Sequence, residues 1–362
     1  MKRRIVALLF ALLATQLGAL VNPAYACGCG AMIPDGQSRI GVDRETSVVR
    51  WDGRTEQIVM RFTVGGDAHR AAWIMPVPGR ATVELGDGKM FDELGRLTRP
   101  EHKTRGYFWP RDHDWPFSSG GMRDGAGAPA PGAAAPPVGV VGREQLGDFD
   151  VARLTATDPD ALKNWLESNG FKLPDRLATE VKPYVDQGWE YVAVRLAPRG
   201  PGRPLRGDLD PLRIRFDSDR LVYPMRLSRM AKTPQSLGLY VLADHRMEPA
   251  SPIGGSAPEV TFAGTIRPEN GPLAELAGAE PVFLTAIDQR FPEPGRIDAD
   301  HELRATAKDT PYRRAIYHDE LLTVGGVPVW LLTLAAAVAA LTATSVAVLR
   351  VRGRRTAPAA TS

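Results

Sequence analysis

Cysteine is almost absent: Cys27 and Cys29 are the only two in 362 residues. A disulfide-stapled fold is therefore excluded, as is a zinc module held by four thiolates. The six histidines include no pair at His-x-x-x-His spacing, and the chain has no His-Glu-x-x-His, no Gly-x-Ser-x-Gly elbow and no Walker loop. Lysine is scarce, 8 against 37 arginines, and the arginines are spread with no basic cluster apart from the chain ends, which gives no nucleic-acid surface. No repeat of fixed period is found. Acidic residues are missing from 1–26 and from 324–362. Those two segments hold seven of the 45 basic residues, so the middle carries 38 basic against 42 acidic side chains, a net −4, although the whole chain stands at +3.

What the ends do contain addresses a membrane. Met1-Lys2-Arg3-Arg4, an apolar run from Ile5 to about Val21, and Ala24-Tyr25-Ala26 make the three parts of a cleaved secretory signal over 1–26. Near the other end, no charged residue lies between Glu320 and Arg350. Residues 327–349 are apolar all round and as a helix reach about 34 Å, enough to cross a hydrocarbon core of about 30 Å. Trp330 suits the outer interface, and Arg350, Arg352, Arg354 and Arg355 follow the inner end. The expected topology is single-pass type I, with the body outside the cytoplasm, the lipid bilayer engaged through one helix, and a basic tail at 350–362.

Between the ends, 118–137 is Gly, Ala and Pro with little to bury, a loop or linker dividing an N-terminal part, 27–117, from a C-terminal part, 138–310, with 311–326 juxtamembrane. The first part reads as β. Residues 47–51 and 55–64 flank Asp52-Gly53, a hairpin turn, and 71–75 is a strand stopped by Pro76 and Pro78. A strand at 81–85 and helical spacing over 90–97 follow. The second part opens with two helices. One covers 161–169, capped by Asp158 and ended by Gly170; the other covers 175–187 around Pro183. Strands are expected at 189–197, 212–216, 221–227, 237–243 and 260–266. The fold class is α+β: a mainly antiparallel β ectodomain with a helical pair, plus one C-terminal transmembrane helix.

Few residues announce chemistry. In an exported chain Cys27 and Cys29 are candidates for a strained local disulfide, for a redox pair or half of a metal site, or for lipid attachment at Cys27. Ala24 and Tyr25 argue against lipid, since an aliphatic residue is usual three before such a cysteine. His245, in Asp244-His245-Arg246 after a strand, is the weak metal candidate among the histidines. Trp109 and Trp115, in a short aromatic-rich stretch, are candidate contacts for a partner protein or glycan, with the plainer reading that they cover an edge of the β core. No catalytic residue and no cofactor follows from any of these.

Several motifs carry a resemblance: Cys27-Gly28-Cys29-Gly30 after the signal, Trp73 to Pro78, Trp165-Leu166 with Asn169-Gly170-Phe171, Gly188-Trp189, Val222-Tyr223-Pro224, and Tyr240 to Arg246. Together they resemble the bacterial family known as domain of unknown function 2330. The resemblance implies an exported, often membrane-tethered protein and carries no catalytic residues across. Two functions are weighed: an anchored ectodomain that binds an envelope component or protein partner, and an extracytoplasmic enzyme or metal/redox-handling protein that uses Cys27 and Cys29. The first is favoured because acid, base, nucleophile and metal ligands do not converge in the sequence.

Overall fold

The computed structural model describes residues 29–36, 38–111, 114, 145–146, 149–154, 159–172, 175–196 and 204–355. The signal 1–26, Cys27, Trp115, the stretch 118–137 and the tail beyond 355 lie outside the described residues. The chain divides into two units, one of 1–100 with 139–314 and the other of 101–138 with 315–362.

In the first unit, β1 (Ala31–Pro34), β4 (Ala71–Val77), β9 (Glu190–Leu196), β8 (Phe149–Leu154) and β7 (Gln145–Leu146) form an antiparallel sheet in that order. A larger sheet runs β18 (Tyr312–Arg313), β15 (Glu259–Ile266), β16 (Val282–Phe291), β13 (Gln235–Ala243), β2 (Ile40–Trp51), β3 (Thr55–Gly66), β11 (Leu212–Asp217), β5 (Thr82–Leu85), with β10 (Gly207–Asp208) also on β3. Its pairings are antiparallel except β13 on β2. A small sheet joins β12 (Leu221–Tyr223), β17 (His301–Ala305) and β14 (Met247–Pro249).

Alternation assigns the faces. Ile58, Met60 and Phe62 of β3 share a core with Trp73 and Met75 of β4 and with Val192 and Val194 of β9, so the two large sheets pack face to face. The outer face of the smaller one, with Ile74 and Tyr191, is covered by Leu162 and Leu166 of α2 (Pro159–Ser168) and by Leu177 and Val181 of α3 (Asp175–Asp186). The outer face of the larger, with Val48, Val59 and Leu242, is covered by Phe91 and Leu94 of α1 (Lys89–Leu97) and by Leu273 and Leu276 of α4 (Gly271–Ala277). The unit is thus layered helix, sheet, sheet, helix. Each large apolar side chain so buried contributes about 1.5–3 kcal/mol.

The hairpin turn is as expected: Gly53 has φ +91°, and Asp52 accepts hydrogen bonds from the N–H groups of Arg54 and Thr55. Three boundaries differ for physical reasons. Strand β2 begins at Ile40 rather than 47, because a bulge between Val42 and Arg44 lets a polar run stay in the ladder. Strand β4 continues through Pro76 to Val77 on β9; β1 pairs only with residues 71–74, so Pro76 stands where one side of β4 is free, a place a strand tolerates proline. The strand expected at 221–227 stops at Tyr223 and gives way to a 3-10 turn at Arg226–Met230. β16 and β17, absent from the sequence reading, complete the larger and the small sheet.

In the second unit, β6 (Glu101–Tyr107) and β19 (Ala315–Leu321) form an exposed parallel ribbon. The short hairpin β20 (Thr323–Val324) with β21 (Val327–Pro328) leads into α5 (Val329–Arg355). Residues 327–328 therefore belong to a strand, and the helix starts two residues later than expected. Val329–Arg352 is long and apolar enough to cross a membrane. The hydroxyls of Thr333, Thr342 and Thr344 donate to the carbonyls of Trp330, Ala339 and Ala340, which makes them compatible with lipid.

Candidate functional site

On the outer face of the larger sheet, beyond the C-terminal end of α1, lies a pocket of about 210 Å³. Three arginines from separate parts of the chain line it: Arg44 from β2, Arg99 just after α1 and Arg314 just after β18. Asp288 of β16 lies among them. The ion pairs are loose: Arg44 Nη2 is 3.9 Å from Asp288 Oδ1, while Arg314 Nη1 is 3.7 Å from Asp288 Oδ2 and 3.5 Å from Glu259 Oε1. Among the described residues Arg99 has no ion-pair partner, and the buried Nε of Arg314 has no hydrogen-bond partner. The hydroxyl of Thr98 is engaged by the Leu94 carbonyl at 2.8 Å. Open donors therefore remain on guanidinium groups, whose planar forks suit a carboxylate or phosphate.

Gly238 of β13 keeps this space clear. It pairs with Asp288, and a Cβ there would come within 3.0 Å of Arg44 Nη2 and 3.6 Å of Asp288 Oδ1. A strand glycine often marks such a close approach. Arg44 points outward because of the β2 bulge: Ile40 and Val42 face the inter-sheet core, and after the extra residue Val49 takes that face while Val48 lies in the outer core. The same shift aims Glu45 and Ser47 inward.

Those two side chains begin a buried polar cluster. Glu45 accepts hydrogen bonds from the Cys29 N–H at 2.7 Å and from the Tyr223 hydroxyl; the Tyr223 hydroxyl also lies 2.6 Å from Ser47 Oγ. Burial raises the Glu45 carboxyl above its usual range despite these bonds, and burial together with Glu45 raises the Cys29 thiol. Cys29 is a free, fully buried thiol with Met60 Sδ at 3.7 Å and Met75 Sδ at 3.9 Å. Elsewhere Asp300 accepts hydrogen bonds from Tyr184 and from the N–H groups of Met225 and Arg226, which pins the chain after β12. In the second unit His102 Nδ1 and His318 Nε2 are 2.7 Å apart with stacked rings, beside the Arg105–Asp319–Arg111 ion pairs.

The residues singled out in the sequence fall in different places. Cys27 and Trp115 lie outside the described residues. His245 is exposed and bonded to Asp309 at 2.9 Å, while Cys29 is in the core, so the two are not brought to one site. Among the described residues no group of three or more His, Cys, Asp or Glu is placed to hold a metal ion. Trp109 is 67% exposed and meets Phe108 edge-on. Trp330 is buried at the start of α5, and Arg350 and Arg352 are exposed near its end. The pocket arginines do not stand out in the sequence because they are ordinary members of an arginine-rich chain. The one local signal was a glycine within the apolar strand 237–243.

No curated protein matches the chain. The crystal structure of baculovirus P35 is similar over 76% of this chain and 97% of that one, at 10% identity and a TM-score of 0.30, a likeness too slight to say what this chain does. Residues 23–304 match a family described as an uncharacterised protein conserved in bacteria, and with most of its length so matched the chain belongs to that family, domain of unknown function 2330.

Proposed function

We propose that this is a single-pass membrane protein whose extracytoplasmic body binds a small carboxylate-bearing component of the cell envelope in the Arg44–Arg99–Arg314 pocket. The observation that carries the reading is that pocket: three arginines line one space, and Gly238, by lacking a Cβ, leaves room there beside Arg44. Three positive charges against Asp288 and Glu259 leave an excess of one, which a monoanion can meet. Asp288 at the wall repels a dianion more than a monoanion, so a carboxylate is favoured over phosphate. The space equals roughly seven water volumes, enough for the head of a ligand rather than a whole polymer. The signal at 1–26, the apolar α5 and the arginines after it support the orientation, body outside and tail inside. Trp109 belongs to this reading as a second, aromatic contact for an envelope protein or glycan.

Calorimetric titration of the full chain in detergent with N-acetyl-alanine and, separately, with inorganic phosphate tests the pocket. The carboxylate binds at one site per chain and more tightly than phosphate. Arg44→Gln and Arg314→Gln each weaken it on the order of tenfold, equivalent to about 1.4 kcal/mol. Equal binding by wild type and both variants would place the ligand elsewhere.

A further inference from the structure

The sulfur cluster in the inter-sheet core lies apart from the arginine pocket and has no role in carboxylate binding. Three sulfur atoms meet there from separate elements: Cys29 from the segment ahead of β1, Met60 from β3 and Met75 from β4. We propose that Cys29, Met60 and Met75 form a three-sulfur site for a single monovalent copper ion.

The spacing suits the ion. Two sulfurs that share one trigonal ion at a bond length of about 2.3 Å stand about 4 Å apart. The thiol is 3.7 Å from one thioether and 3.9 Å from the other, so each cysteine–methionine pair stands within a few tenths of an ångström of that spacing. The donor set selects the metal by softness, since one thiolate and two thioethers suit Cu(I) and offer nothing to the oxygen-preferring Mg2+, Ca2+ or Mn2+. Charge selects it too. Cys29, Met60 and Met75 are each no more than 1% exposed, among Phe62 and Trp73, whose ring centroids are 5.4 Å apart. A monovalent ion replacing the thiol proton leaves the net charge of this buried site unchanged, whereas a divalent ion would add a positive charge to it.

The step balances: the Cys29 S–H bond breaks, the S–Cu bond forms, and one proton leaves to solvent for each Cu+ that enters, with no change in oxidation state. Glu45, beside the thiol, holds the Cys29 N–H at 2.7 Å and is itself held by Tyr223, so the cysteine-bearing segment is fixed over the two methionines. Because that segment precedes β1, loading the ion need not break a ladder between strands. Three sulfurs can also meet in a core simply by packing, and the test separates the two.

Reduced full chain in detergent is titrated anaerobically with Cu+ in competition with a Cu(I) chelator, and the bound ion is read by X-ray absorption. One ion per chain with sulfur-only coordination is expected. Cys29→Ser abolishes it, and Met60→Leu and Met75→Leu, which conserve volume and keep the fold, each weaken it on the order of tenfold. Cys27→Ser leaves it in place. No retention of Cu+ would overturn the proposal. So would retention unchanged in both methionine variants, retention lost with Cys27→Ser alone, or Zn2+ held in preference to Cu+.

Discussion

Buried acids and a buried histidine make this fold sensitive to pH in opposite directions. His301, 2% exposed, has Nε2 2.7 Å from Gln289 Oε1. Both amide hydrogens of Gln289 go to the carbonyls of Gly254 and Ser256, so its Oε1 accepts and His301 Nε2 is the donor. Its Nδ1 has no partner, and burial pushes the pKa down to about 4. Between about 4 and the ordinary 6.5 the unfolded chain binds the proton that the folded one refuses, so stability falls as pH drops through that window. By pH 5 the loss is about 2 kcal/mol. Urea unfolding of the full chain at pH 7 and pH 5 should show wild type losing that much more than His301→Gln; equal losses would remove His301 from the account. Glu56 acts with the other sign. Its Oε1 has no partner, Oε2 accepts from the Val222 N–H at 3.2 Å, and burial raises its pKa well above the usual 4.5. A raised carboxylate contributes most below its unfolded value and loses that contribution as pH rises through the folded one. The stability of Glu56→Gln relative to wild type should therefore increase from pH 5 to pH 8, and a flat difference would show that Glu56 titrates in the fold as it does in the unfolded chain.

Single elements explain what the sequence discloses and what it hides. Helix α5 is legible because a run of apolar residues long enough to span has few other uses. Leu341→Arg places a charge near its middle and costs about 3 kcal/mol of insertion. The membrane-retained fraction after alkaline extraction should fall sharply, and undiminished retention would argue that α5 does not span. Strand β3 and its turn are equally plain, with alternating Ile58, Met60, Phe62 and Val64 after Asp52-Gly53. The first half of β2 is not, because Asp43-Arg44-Glu45-Thr46 reads as a polar loop. Only the bulge, a tertiary feature, sends Arg44 to the pocket and Glu45 to the core. The pocket is hidden for the same reason: β2, β13 and β16 bring Arg44, Gly238 and Asp288 together through register, which leaves no mark in local sequence. Of the sulfur cluster only Cys29 could be suspected; Met60 and Met75 look like any core methionine until β3 and β4 are placed.

At the scale of the whole chain, charge separates the parts. The middle is net −4, while both ends carry only positive charge. A body that is acidic overall yet concentrates Arg44, Arg99 and Arg314 at one pocket is selective rather than generally attractive to anions. The orientation predicts that externally added protease on intact cells cleaves the body and spares a tag placed after Ser362; cleavage of that tag would reverse the topology. The claim that the open space at Gly238 is a carboxylate site is tested most directly by titrating N-acetyl-alanine into the full chain with Gly238→Val. A strand accepts valine, and the crowded neighbour is the mobile end of Arg44, so the circular dichroism stays as in wild type. The account predicts saturable one-site binding to wild type and none to the variant; the same affinity in both would contradict it.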